Sequence, residues 1–325
     1  MQPPHLKANA DPVHRFDDEP RAFDESELLS AASAEARSIV DGLPLTARFR
    51  LGSELSPVQG AFLQRHGFIV FAGLLSPTES GRVLEEMARV ERMLVEEKID
   101  RIHGVPAWFG SDEQGRPWLQ RMGFSSVHSP WLEALVTDGR WEPIRRLIGE
   151  DARIGTREKD GVVFNRYINR PGTLRPDLPW HTDALRDVAY NFKMPGPMLM
   201  IGLHFDRIRP EDGGLRLLPG SHEQSSWQTL FRKIHFVSND DDPGEIPVET
   251  WPGDVTVHDG RMWHRVKRSP HTGQRSLRHS MYVPFVADAY QPKGEDAETN
   301  LYMRLFDRIM KWRAKRARRG LHQLH

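Results

Sequence analysis

Hydrophobic residues recur at helical spacing through the first half of the chain and at strand spacing through the second. The clearest helical signature begins at Ser76-Pro77-Thr78-Glu79: an N-cap serine, a proline at the first helical position and a glutamate at the third. Val83, Leu84, Met87, Val90 and Leu94 then fall three or four residues apart, as one buried face of a helix requires. Further helices are predicted from Glu25 to Ile39, ending near Gly42, and from Pro57 to Arg65, closed by His66-Gly67. Two more are expected from Pro130 to Val136 and from Trp141 to Ile148, which makes the first half largely helical. Phe68-Ile69-Val70-Phe71 is apolar throughout and reads as a buried strand. Residues 1 to about 23 show no periodicity and read as a poorly ordered arm.

From about Arg153 the pattern becomes short apolar or alternating segments separated by Gly, Pro and Asp. Strands are predicted from Val162 to Ile168, Trp180 to Asp183, Met198 to Phe205, Leu215 to Leu218, Asp254 to Val257 and Arg275 to Val286. Several short strands joined by turns predict an α+β chain with a mainly β core, a double-stranded β-helix (jelly roll, cupin-like) with flanking helices. The expected organisation is a polar arm with a helix (1–45), one domain (46–290, jelly-roll core about 153–287) and a basic C-terminal helix (291–325). Residues 223–252 interrupt the β pattern with Ser238-Asn239-Asp240-Asp241-Asp242-Pro243-Gly244, a polar insertion that suits either a lid or a tolerated surface excursion. The last segment spaces Leu301, Leu305, Ile309 and Trp312 helically and ends in Lys311, Arg313, Lys315, Arg316, Arg318 and Arg319. Cations at a helix C-terminus complement its dipole, so a solvated helix end accounts for them without nucleic acid or membrane.

Composition narrows the chemistry. Lys plus Arg (45) equals Asp plus Glu (45) in 325 residues, which leaves no global field to draw a polyanion or an anionic membrane. The absence of cysteine removes disulfides, thiolate zinc sites, iron–sulfur ligation and a cysteine nucleophile, so any metal must be held by His and carboxylate. No signal segment and no run of about 18 apolar residues is seen, and a soluble cytoplasmic protein is expected. The partner expected is a small-molecule substrate, with neither nucleic acid nor membrane; oligomeric state is not legible.

Within those bounds His181 and Asp183 stand out. On a strand, residues two apart share a face, so both can reach one ion while Trp180 and Thr182 point away. Two imidazoles and one carboxylate hold Fe(II) by one face and leave coordination positions open. The third donor must come from a distant segment, and His264, after an Asp-Gly turn and within Trp263-His264, is the candidate; His258 and His279 are its rivals. Arg275, eleven residues further on, is the candidate to pair bidentately with a carboxylate of a co-substrate, and Arg278 is the alternative. The two lie three apart, so on a regular strand only one points inward. Asn165 and Tyr167 share a face before the His-X-Asp segment and are placed to touch the co-substrate. His204 lies opposite Leu199, Ile201 and Leu203, toward the barrel mouth, and His222 is expected to cap the Pro-Gly turn.

Taken together these residues resemble the phytanoyl-CoA dioxygenase family of Fe(II)- and 2-oxoglutarate-dependent oxygenases over most of residues 50 to 287. Phe62 through Leu75 looks like the family's opening helix and strand, His181-Thr182-Asp183 like its His-X-Asp, Glu211 through His222 like its central loop and strand, and Gly253 through His264 like its third ligand region. The resemblance implies iron on His181, Asp183 and His264, and 2-oxoglutarate with its far carboxylate on Arg275. It further implies O2 as co-substrate, succinate and CO2 as co-products, and hydroxylation of an unactivated C–H bond. An aspartate at 183 disfavours halogenation, whereas desaturation, epimerisation and cyclisation need no new ligand. A metal-binding jelly-roll protein without oxygenase activity is the other alternative. The chain departs from the family at Arg265-Val266, where a small residue and a serine are common, and at Gly202, where a bulky aromatic is common; the latter predicts an enlarged substrate pocket.

Overall fold

Serine caps start the helices where the sequence predicts them. The computed structural model describes residues 33–308 except 113, 192–195 and 302. The N-terminal arm and the basic run from Lys311 to Arg319 therefore lie outside the described residues, as does the first part of the helix expected from Glu25. Its described part is α1 (Ser33–Gly42), followed by α2 (Pro57–His66), β1 (Phe68–Phe71) and α3 (Pro77–Glu96). Ser56 and Ser76 both form full capping boxes, with Gln59 and Glu79 bonding back to the cap backbone. Such a cap is worth about 1 kcal/mol. Gly67 ends α2 at φ 78°, and its missing side chain makes room for the His222 ring, whose Nε2 lies 3.0 Å from the Gln64 carbonyl oxygen.

The chain continues through β2 (Arg101–Ile102), β3 (Val105–Pro106), β4 (Trp108–Ser111), β5 (Pro117–Met122), α4 (Pro130–Val136) and α5 (Glu142–Arg145). Two departures from the sequence reading appear here. The helix expected from Trp141 to Ile148 is broken into α5 and flanking 3-10 turns. The half read as helical also supplies a strand pair to the main sheet. Its apolar alternation is hidden because Gln120 and Arg121, on β5, are buried and polar, bonded to Thr173 and Asp160.

The second half contains β6 (Arg153–Ile154), β7 (Val163–Tyr167), β8 (Leu178–His181), α6 (Asp183–Asn191), β9 (Met198–His204) and β10 (Gly214–Leu217). It ends with α7 (Ser226–Arg232), β11 (Ile246–Pro247), β12 (Val255–Asp259), β13 (His264–Lys267) and β14 (Arg278–Val286). The larger antiparallel sheet runs β1-β12-β9-β14-β7-β5-β4 with β6 beside β14, and the smaller runs β11-β10-β13-β8. The chain thus has a mixed α/β fold dominated by one large antiparallel sheet.

The larger sheet has two chemically different faces. Leu199, Ile201, Leu203, Val255, Val257, Met281, Val283 and Phe285 point to one side, into a core shared with Phe62, Val83, Met87 and Val90 of α2 and α3. Each fully buried side chain of this kind contributes about 1.5–3 kcal/mol. The intervening positions, Asn165, Tyr167, His204, Thr256, His258, Arg278 and Ser280, point the other way and are also buried. Buried polar groups are costly without partners, and this row faces the smaller sheet. The turn into β12 is fixed by Asp254, which receives bonds from Arg48 and from the backbone N–H groups of Gly73 and Trp251.

Candidate metal centre

β8 and β13 pair so that His181 stands directly opposite His264, with ring centroids 4.0 Å apart. The strand does not extend through Asp183 as expected. It ends at His181, and Asp183 opens α6, where the Thr182 hydroxyl accepts from the Leu185 N–H and the Ala184 N–H donates to Gly260. A helix start, rather than strand alternation, therefore presents the carboxylate. Asp183 Oδ2 lies 3.7 Å from His264 Nε2 and 3.9 Å from His258 Nε2, while Oδ1 lies 3.5 Å from Arg186.

His258 belongs to β12 rather than to the turn anticipated there, and it stands beside His264 rather than in its place. Asp183, His258 and His264 each offer a donor atom within 4.8 Å of the others, with His181 packed against His264. All four side chains are buried. Donors bound at about 2.0–2.2 Å to one ion stand roughly 3–3.6 Å apart, so the Asp183–His264 and Asp183–His258 separations need close by only a few tenths of an ångström. His279, the other rival, is bound to Asp206 instead.

Protonation favours a cation. Burial lowers the basicity of His181, His264 and His258, the last to about 3, and keeps the imidazoles neutral. Burial alone pushes the Asp183 carboxyl up, but its charged neighbours, Arg186 foremost, outweigh it and hold it well below the usual carboxylate range. Neutral imidazoles beside an ionised carboxylate are the states a metal requires. The imidazoles differ in one respect. His181 Nδ1 lies 2.9 Å from the Pro179 carbonyl oxygen and His264 Nδ1 lies 3.0 Å from that of Met262, whereas neither ring nitrogen of His258 has a partner.

The centre opens on a pocket between the two sheets, about 750 Å³ with the open solvent at its mouth included. Asn165, Tyr167 and Tyr282 line it from the larger sheet and His181, His264 and Val266 from the smaller. Phe236, from the 223–252 insertion, stacks on His181 at 4.7 Å, and Met303 and Phe306 of the C-terminal segment complete the wall. Sequence reading missed Phe236, whose segment carries no β or helical pattern.

Arg275 is not at the site. It is exposed, in a 3-10 turn (Gly273–Ser276) ahead of β14. Arg278 is the inward arginine: 5% exposed, beside Tyr167, its guanidinium donating to the Lys267 and Pro176 carbonyls. It lines a smaller inner space with His204, Ser280 and Thr250. Gly202 does not enlarge the pocket either. A Cβ there would lie 2.6 Å from Thr256 Oγ1 and 2.7 Å from Tyr282 Cε1, so the missing side chain seats those two residues. His204 Nε2 lies 3.0 Å from the same Thr256 hydroxyl. Asn165 lines the main pocket, its Oδ1 accepting from Arg175.

The sequence model of a family described as phytanoyl-CoA dioxygenase (PhyH) matches residues 63–275, about two thirds of the chain. The chain belongs to the phytanoyl-CoA dioxygenase family. It is accordingly a non-haem iron enzyme that depends on 2-oxoglutarate. No curated protein sequence matches. Among solved structures it is similar to HygX from Streptomyces hygroscopicus, crystallised with nickel and 2-oxoglutarate, at 18% identity and a TM-score of 0.54 over 77% of this chain and 94% of that one. It is also similar to SnoK, a carbocyclase from nogalamycin biosynthesis, at 19% identity and a TM-score of 0.52 over 78% and 90% of the two chains. SnoN, an epimerase of the same biosynthesis, matches at 18% identity and 0.50 over 73% and 85%. These likenesses establish a common fold. Among the described residues no helix is long and apolar enough to cross a membrane.

Proposed function

We propose that this enzyme oxidises an unactivated C–H bond of a small molecule, hydroxylation being the reaction its site supports best, with His181, Asp183 and His264 holding iron and Arg278 holding the far carboxylate of 2-oxoglutarate. The observation that carries the proposal is a neutral-imidazole and carboxylate set opening on a pocket between two sheets, with a buried guanidinium in the adjoining inner space. Bound iron supplies O2 activation coupled to decarboxylation of 2-oxoglutarate. The two facing sheets are read as a double-stranded β-helix, which puts the ligands at one end of the barrel.

The choice among imidazoles rests on their outer hydrogen bonds. A metal-ligating histidine ordinarily donates its second ring N–H to a carbonyl or carboxylate, which fixes the tautomer and aims the free lone pair. His181 and His264 do so through Nδ1; His258 does not. Arg186 keeps Asp183 ionised from the Oδ1 side and leaves Oδ2 for the ion. Among the described residues no carboxylate lies within ion-pair distance of Arg278, and a carboxylate entering the inner space supplies one. Phe236 and Phe306 exclude water from the mouth.

The carbocyclase and epimerase among the similar folds favour a second reading, in which the same centre closes a ring or inverts a carbon. Mass analysis of product separates them: hydroxylation adds one oxygen, epimerisation none, and cyclisation removes two hydrogens. With Fe(II) and 2-oxoglutarate in air, succinate formation is expected to rise when a metabolite pool is added and to vanish without O2; unchanged turnover without O2 defeats the oxygenase reading. Arg278→Gln is expected to raise the 2-oxoglutarate concentration needed for half-maximal turnover at least tenfold, whereas Arg275→Gln changes it less than twofold. Equal effects would remove Arg278 from this role.

A further inference from the structure

Three arginines line the main pocket, and they differ in what neutralises them. Arg121 bonds to Asp160 at 2.6 Å, and Arg186 lies within 4 Å of Asp160, Asp183 and Asp187. Arg175 has no carboxylate within ion-pair distance among the described residues. The Asp177 carboxylate acts on it only from beyond that range. Arg175 is 6% exposed, and its guanidinium donates to the Asn165 amide oxygen at 2.9 Å, lying 5.0 Å from the centroid of Trp108 and 5.4 Å from that of Tyr167.

The β7–β8 loop that carries Arg175 is itself pinned. The Leu174 N–H donates to Gln120 Oε1 at 2.7 Å, and Gln120 Nε2 donates to the Thr173 hydroxyl at 2.5 Å. The side chain is thus held in place before any ligand arrives, which removes ordering cost from binding. Burial lowers its pKa to about 10, so it stays charged at neutral pH. A buried charge with no counter-charge is costly, and an incoming anion relieves that cost with charge-assisted hydrogen bonds.

We propose that Arg175 is the anchor for a carboxylate on the primary substrate, so that the enzyme oxidises a carboxylate-bearing small molecule whose apolar or aromatic body lies among Trp108, Phe236 and Phe306. The proposal rests on the oxygenase reading, in which Arg278, likewise buried and without a carboxylate within ion-pair distance among the described residues, takes 2-oxoglutarate. The division follows position. Arg175 lies in the pocket with Phe236 and the C-terminal residues, whereas Arg278 lies in the inner space with His204 and Ser280.

The test uses full-length protein loaded with Ni(II) and saturating 2-oxoglutarate, titrated calorimetrically with 3-phenylpropionate and with its neutral analogue 3-phenylpropanamide. Wild type is expected to bind the acid at least tenfold more tightly than the amide. Arg175→Gln should abolish that preference while leaving 2-oxoglutarate affinity within twofold, and Arg175→Lys should retain part of it. Equal binding of acid and amide by wild type, no binding of the acid, or a preference that survives in Arg175→Gln overturns the anchor. So does a loss of 2-oxoglutarate affinity in Arg175→Gln, or acid binding that occurs only by displacing 2-oxoglutarate. Should Arg175→Gln fail to fold, the acid and amide pair on wild type and Arg175→Lys decides. Failure of wild type to bind Ni(II) and 2-oxoglutarate at all defeats the oxygenase reading instead.

Discussion

At the scale of single residues, ligand from bystander is told by what each imidazole does with its second nitrogen. His258 is wholly buried beside Asp183, yet neither of its ring nitrogens has a hydrogen-bond partner among the described residues; in the ligand set proposed above it packs beside the ion without holding it. His258→Phe is therefore expected to keep close to one Co(II) per chain, measured by elemental analysis after gel filtration, whereas His181→Ala and His264→Ala lose most of it. Retained metal in His264→Ala together with loss in His258→Phe would reverse the assignment. Gly202 makes a complementary point about packing. The pocket gains nothing from its missing side chain, because Thr256 and Tyr282 occupy that space at 2.6 and 2.7 Å from where a Cβ would stand. Gly202→Ala should lower unfolding free energy by about 1–3 kcal/mol in urea, the cost of overpacking.

At the scale of elements, α3 is held at its start by two devices on one residue. Glu79 closes the capping box on Ser76 and accepts a 2.6 Å hydrogen bond from Arg140, the chief reason its pKa is lowered to about 2. Glu79→Gln keeps a back-bonding side chain but removes the ion pair. Because the folded pKa lies below the ordinary 4.5, the stability of the ionised form is complete above about pH 4.5 and is lost as pH falls through about 2. The variant should thus be less stable than wild type by about 1 kcal/mol at pH 7, with the difference shrinking toward pH 2; urea unfolding at several pH values tests this, and a pH-independent difference would assign the effect to the cap. This element was legible in sequence because Ser-Pro-Thr-Glu and the spacing from Val83 to Leu94 are local signals. The same holds for α2, α4, β1 and β9. β4 and β5 were not legible, since their buried Gln120 and Arg121 answer to Thr173 and Asp160 far along the chain. The ligand region was half legible. The sequence singled out 181, 183 and 264, which the structure brings together, but spacing alone could not tell that β8 stops at His181, that β14 starts three residues after Arg275, or that Val255-Thr256-Val257 carries its alternation on to His258 beside them.

At the scale of the whole molecule, the centre is a joint between sheets. His181 and His264 come from the smaller sheet and His258 from the larger, Asp183 comes from a helix start, and Phe236 and Phe306, from otherwise separate segments, meet over the mouth with centroids 6.0 Å apart. The insertion is fastened to the edge of the smaller sheet through Phe236 N–H to Trp180 and Trp180 N–H to Ser238, while Arg265 reaches its Asp241 and Glu245. A ligand that binds such a joint binds only the folded chain, so occupancy must raise global stability by RT ln(1 + [L]/Kd), about 2.7 kcal/mol at a hundredfold excess over Kd. Thermal unfolding should shift upward by several degrees with Ni(II), and by a further increment when 2-oxoglutarate is added. Arg278→Gln should keep the first increment and lose the second, Arg275→Gln should keep both, and Asp183→Ala should lose both. A second increment that persists in Arg278→Gln would show that the co-substrate's far carboxylate is held elsewhere, and its loss in Arg175→Gln would name the place.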